Sequence, residues 1–126
     1  MNKKRDFIRI EVDLDGVVFY EDKTIKQIEA PPIGKMIETI NTLYKQGHTI
    51  IVSTSRPWRM FEKTLQQLNH VGLHFSTLHM GRPCSDIIIN DRNIEIKTNP
   101  NEQEVQNFKK ALFSLVDEKM KEERWA

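Results

Sequence analysis

The 126-residue sequence predicts an α/β fold, an open and mostly parallel sheet covered by helices. Three observations carry that expectation. Short runs rich in β-branched residues, HTIIVST and DIIIN, alternate with stretches of helical periodicity. Glycine or a polar turn follows each strand candidate. The joints between elements are short, as in strand–helix–strand units.

Phe7 to Leu14 is the first strand, with Ile8, Ile10, Val12 and Leu14 on one face. Its other face carries Arg9, Glu11 and Asp13, unusually polar for a central strand, and Gly16 ends it. Residues 19–32 mix charge with two prolines and form a flap-like excursion. From Ile33 the pattern is helical: Ile33, Met36, Ile37, Ile40, Leu43 and Tyr44 share a face, and Gly47 is the stop. His48 to Thr54 is the second strand. Pro57 suits the first turn of a second helix, whose buried stripe is Phe61, Leu65 and Leu68. A short strand falls around His74–Leu78. Asp86 to Asn90 is a continuous apolar run, expected as a strand buried on both faces, and Ile94–Ile96 is a candidate edge strand. Asn99-Pro100-Asn101-Glu102 reads as a capping box with proline at the first helical position. Val105, Phe108, Leu112, Leu115, Val116 and Lys119 then trace the last helix.

Composition narrows the class. The length suits one domain over residues 1–126, with enough chain to bury a core without staples. Cys84 is the single cysteine, so no internal disulfide forms and a reducing, cytoplasmic location is expected. No apolar run approaches the roughly 20 residues that cross a bilayer, and Asp6, Arg9 and Glu11 interrupt any leader-like segment at the start. With 19 Lys+Arg against 18 Asp+Glu, nothing points to a polyanion-coating role, so nucleic acid is not the expected partner.

Open α/β sheets bind ligands at the carboxyl ends of their strands, and four polar clusters fall there. Asp13 and Asp15, two residues apart before Gly16, repel unless a cation lies between them; a hard ion such as Mg²⁺ suits such oxygen ligands. The plain alternative is a solvated strand-end turn. Ser53-Thr54-Ser55-Arg56, ahead of Pro57, offers hydroxyls and N–H groups to a phosphate oxygen; the alternative is an ordinary N-cap at Ser55. Arg82, in Gly81-Arg82-Pro83, is a fixed cation able to offset phosphoryl charge, or else a surface loop arginine. Asn90-Asp91-Arg92 emerges at the sheet edge, where Asn90 and Asp91 reach a metal or simply make a turn.

In order and spacing these clusters resemble the haloacid dehalogenase-like superfamily of phosphohydrolases. The stretches EVDLDGVV, GHTIIVSTSR and GRPCSDIIINDRNI are most similar to its small capsule-biosynthesis-type phosphatases, which read DLDGT, TAR, GKP and DDR at those points. The resemblance implies a three-layer α/β/α Rossmann-like fold with a mostly parallel five-stranded sheet. It implies a catalytic set of Asp13, Asp15, Thr54 and Arg82. Asp13 is then the nucleophile that forms an aspartyl-phosphate, and Asp15 the acid and later the base. Thr54 holds a phosphoryl oxygen, with Ser53, Ser55 and Arg56 as further phosphate-binding groups. Mg²⁺ is held by Asp13, Asp15 through its backbone carbonyl, and Asn90 or Asp91. The substrate implied is a phosphorylated sugar, a polysaccharide precursor or a similar bulky phosphomonoester.

Arg82 stands where the family has lysine, a planar fork in place of a point charge. Asn90 stands for an acid, which weakens Mg²⁺ binding. Only about thirty residues separate Gly16 from Gln46, so no cap domain fits and the site is expected to be open, screened by the 19–32 excursion. Two readings stand beside the phosphatase: a weak or inactive phospho-ligand- or protein-binding module, and a nucleotide or polynucleotide 3′-phosphatase. Trp58 and Phe61 are placed to stack on a base or a sugar, with core packing the other fate of Phe61. A receiver-domain reading fails on the spacing of the acid pair. The histidines lack metal-ligand spacing, and Cys84 has no histidine partner in sequence.

Overall fold

A computed structural model describes residues 5–122. Three parallel strands, Arg9–Asp13 (β1), Thr49–Ser53 (β2) and Thr77–His79 (β3), form one sheet in the order β1-β2-β3. The helices are Gly34–Lys45 (α1), Phe61–His70 (α2) and Glu102–Met120 (α3), joined by short 3-10 turns at Gln27–Glu29 and Trp58–Met60. Strand–helix–strand order with parallel pairing is the α/β architecture expected from the alternating periodicities.

The core follows the predicted faces. Met36, Ile37, Ile40 and Leu43 are the buried stripe of α1, Val105, Leu112 and Val116 that of α3, and these two helices pack on one another. Tyr44 instead stays at the surface, stacked on His74 with ring centroids 5.5 Å apart. In α2 Leu68 is fully buried, while Phe61 and Leu65 are only half-buried; the inward stripe includes a polar residue, Thr64. The capping box at α3 is real but sits two residues later than expected. Asn101 is the N-cap, its side chain accepts from the Glu104 N–H at 2.8 Å, and the Glu104 carboxylate accepts from the Asn101 N–H at 3.1 Å. Pro100 therefore precedes the helix: both asparagines have an acid three residues on, but Asn99 has φ +52° and its side chain is paired with the Glu21 backbone, which leaves Asn101 to cap.

The fourth strand is not formed among the described residues, so the sheet has three strands where five were expected. Asp86–Asn90 is loop, with Ile87, Ile88 and Ile89 at 81%, 62% and 96% exposure. Ile94 and Ile96, also without strand pairing, pack half-buried against the core. They share the apolar groove beside β1 with Ile10, Val12 and Phe108, where a fourth strand would lie. A continuous apolar run signals a drive to be buried but not which segment wins the place.

His48 ties the starts of the first two strands together. Its Nδ1 accepts from the Ile8 N–H at 3.1 Å, 40 residues away in sequence, and the residue is buried. Burial holds its pKa below the usual imidazole value of 6.5. The folded state thus binds the proton less tightly than the unfolded state, so this residue's contribution is complete above pH 6.5 and is lost as pH falls toward the lower folded value. Protonation also removes the acceptor for Ile8. Thermal unfolding is expected to show a loss of stability on acidification from pH 7.5 to 5.5 that is shallower in His48→Gln. An unchanged slope in that variant would assign the effect elsewhere.

Candidate active site

The register brings Asp13, Ser53 and His79 side by side at the carboxyl edge, since Asp13 pairs with Ser53 and Ser53 with His79. The chain leaving β1 is pinned by apolar residues. Leu14, Val18 and Phe19 are fully buried, and the Leu14 carbonyl accepts from the Val18 and Phe19 N–H groups at 2.9 and 3.2 Å. Gly16 has φ +87°, and a Cβ there would lie 3.0 Å from Thr98 Cγ2, so glycine is required by both conformation and space. Its carbonyl accepts from the Asn99 N–H at 2.9 Å, while the Asn99 side chain pairs with the Glu21 backbone in both directions. One asparagine thereby fixes the catalytic-side turn and the start of the excursion together. Phe19, expected to screen the site, is an anchor in the core; the screening part begins at Tyr20.

Asp13 is half-exposed and its Oδ1 lies 3.2 Å from Arg82 NH2. Arg82 NH1 lies 3.6 Å from Glu11, which accounts for the acidic residue that shares a strand face with Asp13. Burial raises the Asp13 pKa above the usual 3.8; the charge of Asp15 adds to that rise, whereas Arg82 and the Leu14 N–H oppose it. Arg82 is set by its backbone, whose N–H donates to the Thr54 carbonyl at 3.0 Å. Its Nε is buried with no hydrogen-bond partner, an unspent donor beside the carboxylate.

Asp15 is held differently. Arg56 Nε and NH2 donate to its two oxygens at 3.1 and 2.8 Å, a bidentate fork. Gln27 Nε2 lies 3.2 Å and the Thr54 hydroxyl 3.5 Å from Oδ2. Arg56 is the largest fully buried side chain. Its remaining donors go to Thr64 Oγ1 and Gln67 Oε1 at 3.1 and 2.8 Å and to the Gln27 carbonyl at 3.2 Å, with the Phe19 ring 5.9 Å away. Every contact faces inward, so Arg56 has no donor left for a phosphate and the phosphate-binding expectation is corrected: it orients Asp15. Thr64, Gln67 and Gln27 went unread in the sequence. Two polar residues at i, i+3 on the inward face of α2 are the signal that marks such a network.

The hydroxyl cluster divides. Thr54 is buried, its Oγ1 accepting from the Arg56 N–H at 3.1 Å. Ser53 is buried beside Asp13, and Ser55 is exposed and caps no helix. Asn90 and Asp91 stay on the exposed loop: the Asn90 side chain accepts from the Arg92 N–H at 3.2 Å, and Asp91 lies 3.7 Å from Arg92. Among the described residues no three Asp, Glu, His or Cys side chains gather around a metal position. Asp13 and Asp15 have the oxygen chemistry that Mg²⁺ takes, but both carboxylates are turned to arginines, while Asn90 and Asp91 line the same groove as Asp13 from the exposed loop. With the carboxylates so engaged, the expected metal set is not assembled among the described residues. Cys84 is exposed and free.

Residues 10–78, more than half of the chain, match the haloacid dehalogenase-like hydrolase family. The chain belongs to that family. Its membership makes it a hydrolase by family. A structural genomics target from Vibrio cholerae superposes with TM-score 0.59 at 20% identity, over 82% of this chain and 98% of that one. Two structures of Pnkp1/Rnl/Hen1 complexes, one of them described as an RNA repair complex, each superpose with TM-score 0.51. Their identities are 16% and 17%, over 68% and 88% of this chain but only 30% and 31% of theirs. These likenesses concern the fold. The search of curated protein sequences finds no match. No helix among the described residues is long and apolar enough to cross a membrane.

Proposed function

We propose that this chain is a phosphomonoester hydrolase that works through an aspartyl-phosphate on Asp13. The observation that carries the reading is the pair formed by a half-exposed Asp13 and Arg82 at 3.2 Å, on the sheet edge beside Asp15 and Thr54. An Asp13 oxygen attacks phosphorus while the bond to the leaving oxygen breaks, and Asp15 supplies that oxygen's proton. Water then attacks the same phosphorus, Asp15 takes its proton, and phosphate leaves as the Asp13 carboxylate is restored. Asp15 Oδ1, which accepts from Arg56 NH2 alone among the contacts above, is the oxygen with a lone pair left for that proton. Carboxylate and phosphate repel, and Arg82 offsets that charge.

The substrate we propose is a bulky phosphomonoester, a class that takes in phosphorylated sugars, polysaccharide precursors and nucleotides, because the half-exposed Asp13 leaves the site open. Mg²⁺ dependence belongs to the proposal through the family, and no step above is routed through the ion. A second reading, a phospho-ligand-binding module with little turnover, draws on both aspartates being engaged by arginines, with Asn90 and Asp91 paired within their own loop. Phosphate release from sugar phosphates, nucleotides and 3′-phosphorylated oligonucleotides, with Mg²⁺ and with chelator, decides between them. Release from at least one class is expected; binding of phosphorylated ligands with no release would establish the second reading instead.

A further inference from the structure

Trp58 is 60% exposed although it lies in a turn that is held on several sides. Its ring stacks on Phe61 at 6.0 Å between centroids and 26° between planes, and meets the exposed His79 at 6.3 Å and 54°. Its pyrrole edge rests on Gly81. A Cβ at that glycine, whose φ is +72°, would lie 3.1 Å from the indole Nε1 and 3.2 Å from Cδ1. The next residue is Arg82, the cation on Asp13, and Gly81 itself is fixed by its N–H to the Arg56 carbonyl at 2.8 Å. A large apolar ring held this firmly, yet left mostly in water beside a reaction centre, is an unspent stacking surface.

From this juxtaposition we infer that Trp58, backed by Phe61 and edged by His79, is a shelf for the leaving group, and that this leaving group carries a nucleobase. The inference rests on the phosphomonoester-hydrolase reading and narrows its substrate class to nucleotides. A sugar ring can lie on an indole but is oriented by several hydroxyl partners along its rim, and of the groups described against this indole only the His79 imidazole offers one. A base needs a flat face and little else, and stacking tolerates any base.

The test has an equilibrium arm and a kinetic arm. In an Asp13→Asn/Trp125→Phe protein, Trp58 is the single indole, since the chain has two tryptophans. Adenosine 3′- or 5′-monophosphate is expected to quench its fluorescence saturably, and glucose 1-phosphate and glycerol 2-phosphate are not. In the otherwise native enzyme, Trp58→Ala is expected to raise KM for the better adenosine monophosphate about tenfold. Its kcat is expected to hold, as is kcat/KM for glycerol 2-phosphate, and Trp58→Phe is expected to keep most of the native KM. Quenching by glucose 1-phosphate alone, or equal losses on all substrates, would overturn the nucleobase shelf. Quenching needs no turnover, so absence of hydrolysis on every substrate overturns the hydrolase reading by itself.

Discussion

Asp13→Asn is expected to lower phosphate release by at least about a thousandfold while the protein remains folded. The size of the loss follows from the role. An amide oxygen is not a nucleophile toward phosphorus, and removing a covalent nucleophile leaves only binding and charge neutralisation. Retention of the fold follows from the surroundings. An asparagine Oδ1 can still accept from the Leu14 N–H, which in the native protein donates at 2.9 Å. Arg82 keeps Glu11 at 3.6 Å as a counter-charge. Burial disfavours the Asp13 charge, so exchanging it for a neutral isostere removes an unfavourable contribution. Turnover at a nearly native rate, with an unchanged melting temperature, would transfer the nucleophile's role to another residue. A protein trapped as a phospho-adduct in the native form, detected as a mass increase that Asp13→Asn abolishes, is the positive counterpart.

Much of this site was legible because its parts are local. The Asp13-Leu14-Asp15-Gly16 string has its own turn chemistry, and the apolar positions around it mark strand and helix faces. Arg82 is placed by sequence just ahead of the isoleucine run, but that run forms no strand, and what sets Arg82 is its N–H bond to the Thr54 carbonyl. Arg56 was read as a phosphate ligand because it follows the hydroxyls of Thr54 and Ser55, and a sequence neighbour is taken as a functional neighbour. Its true partner, Asp15, is 41 residues away, and the polar residues that turn it inward come from α2 and from the excursion. No periodicity encodes that meeting. The isoleucine run of residues 87–89 failed for a related reason. Hydrophobicity states that a segment gains by burial, but that Ile94 and Ile96 pack against the core while Ile88 only lines the groove beside β1 is a property of the assembled chain. Asn90 and Asp91 follow that run, so they too lie on an exposed loop rather than at a strand end.

Arg56→Met is expected to destabilise the protein by about 3–5 kcal/mol, a drop in melting temperature on the order of 10–20 °C. The guanidinium has no exposed side-chain surface and Asp15 little, so the pair is screened weakly by solvent. Removing the arginine leaves the Asp15 carboxylate with only Gln27 and Thr54 as donors, and leaves Thr64, Gln67 and the Gln27 carbonyl without the donor that joined them. Methionine fills much of the volume against Phe19, so most of the loss is electrostatic and hydrogen-bonding in origin. Asp15→Asn alone is also expected to destabilise, because it leaves a buried cation facing an amide. The double variant should then be more stable than the sum of the two losses, by 1 kcal/mol or more on the order expected for contacting charges. Strict additivity in that cycle would mean that the fork contributes nothing beyond packing. The exposed Gln27→Ala variant removes only one donor to Asp15 and is expected to leave the melting temperature within a few degrees. A comparable collapse in Gln27→Ala would place the stabilising contact in the excursion, not in the buried arginine.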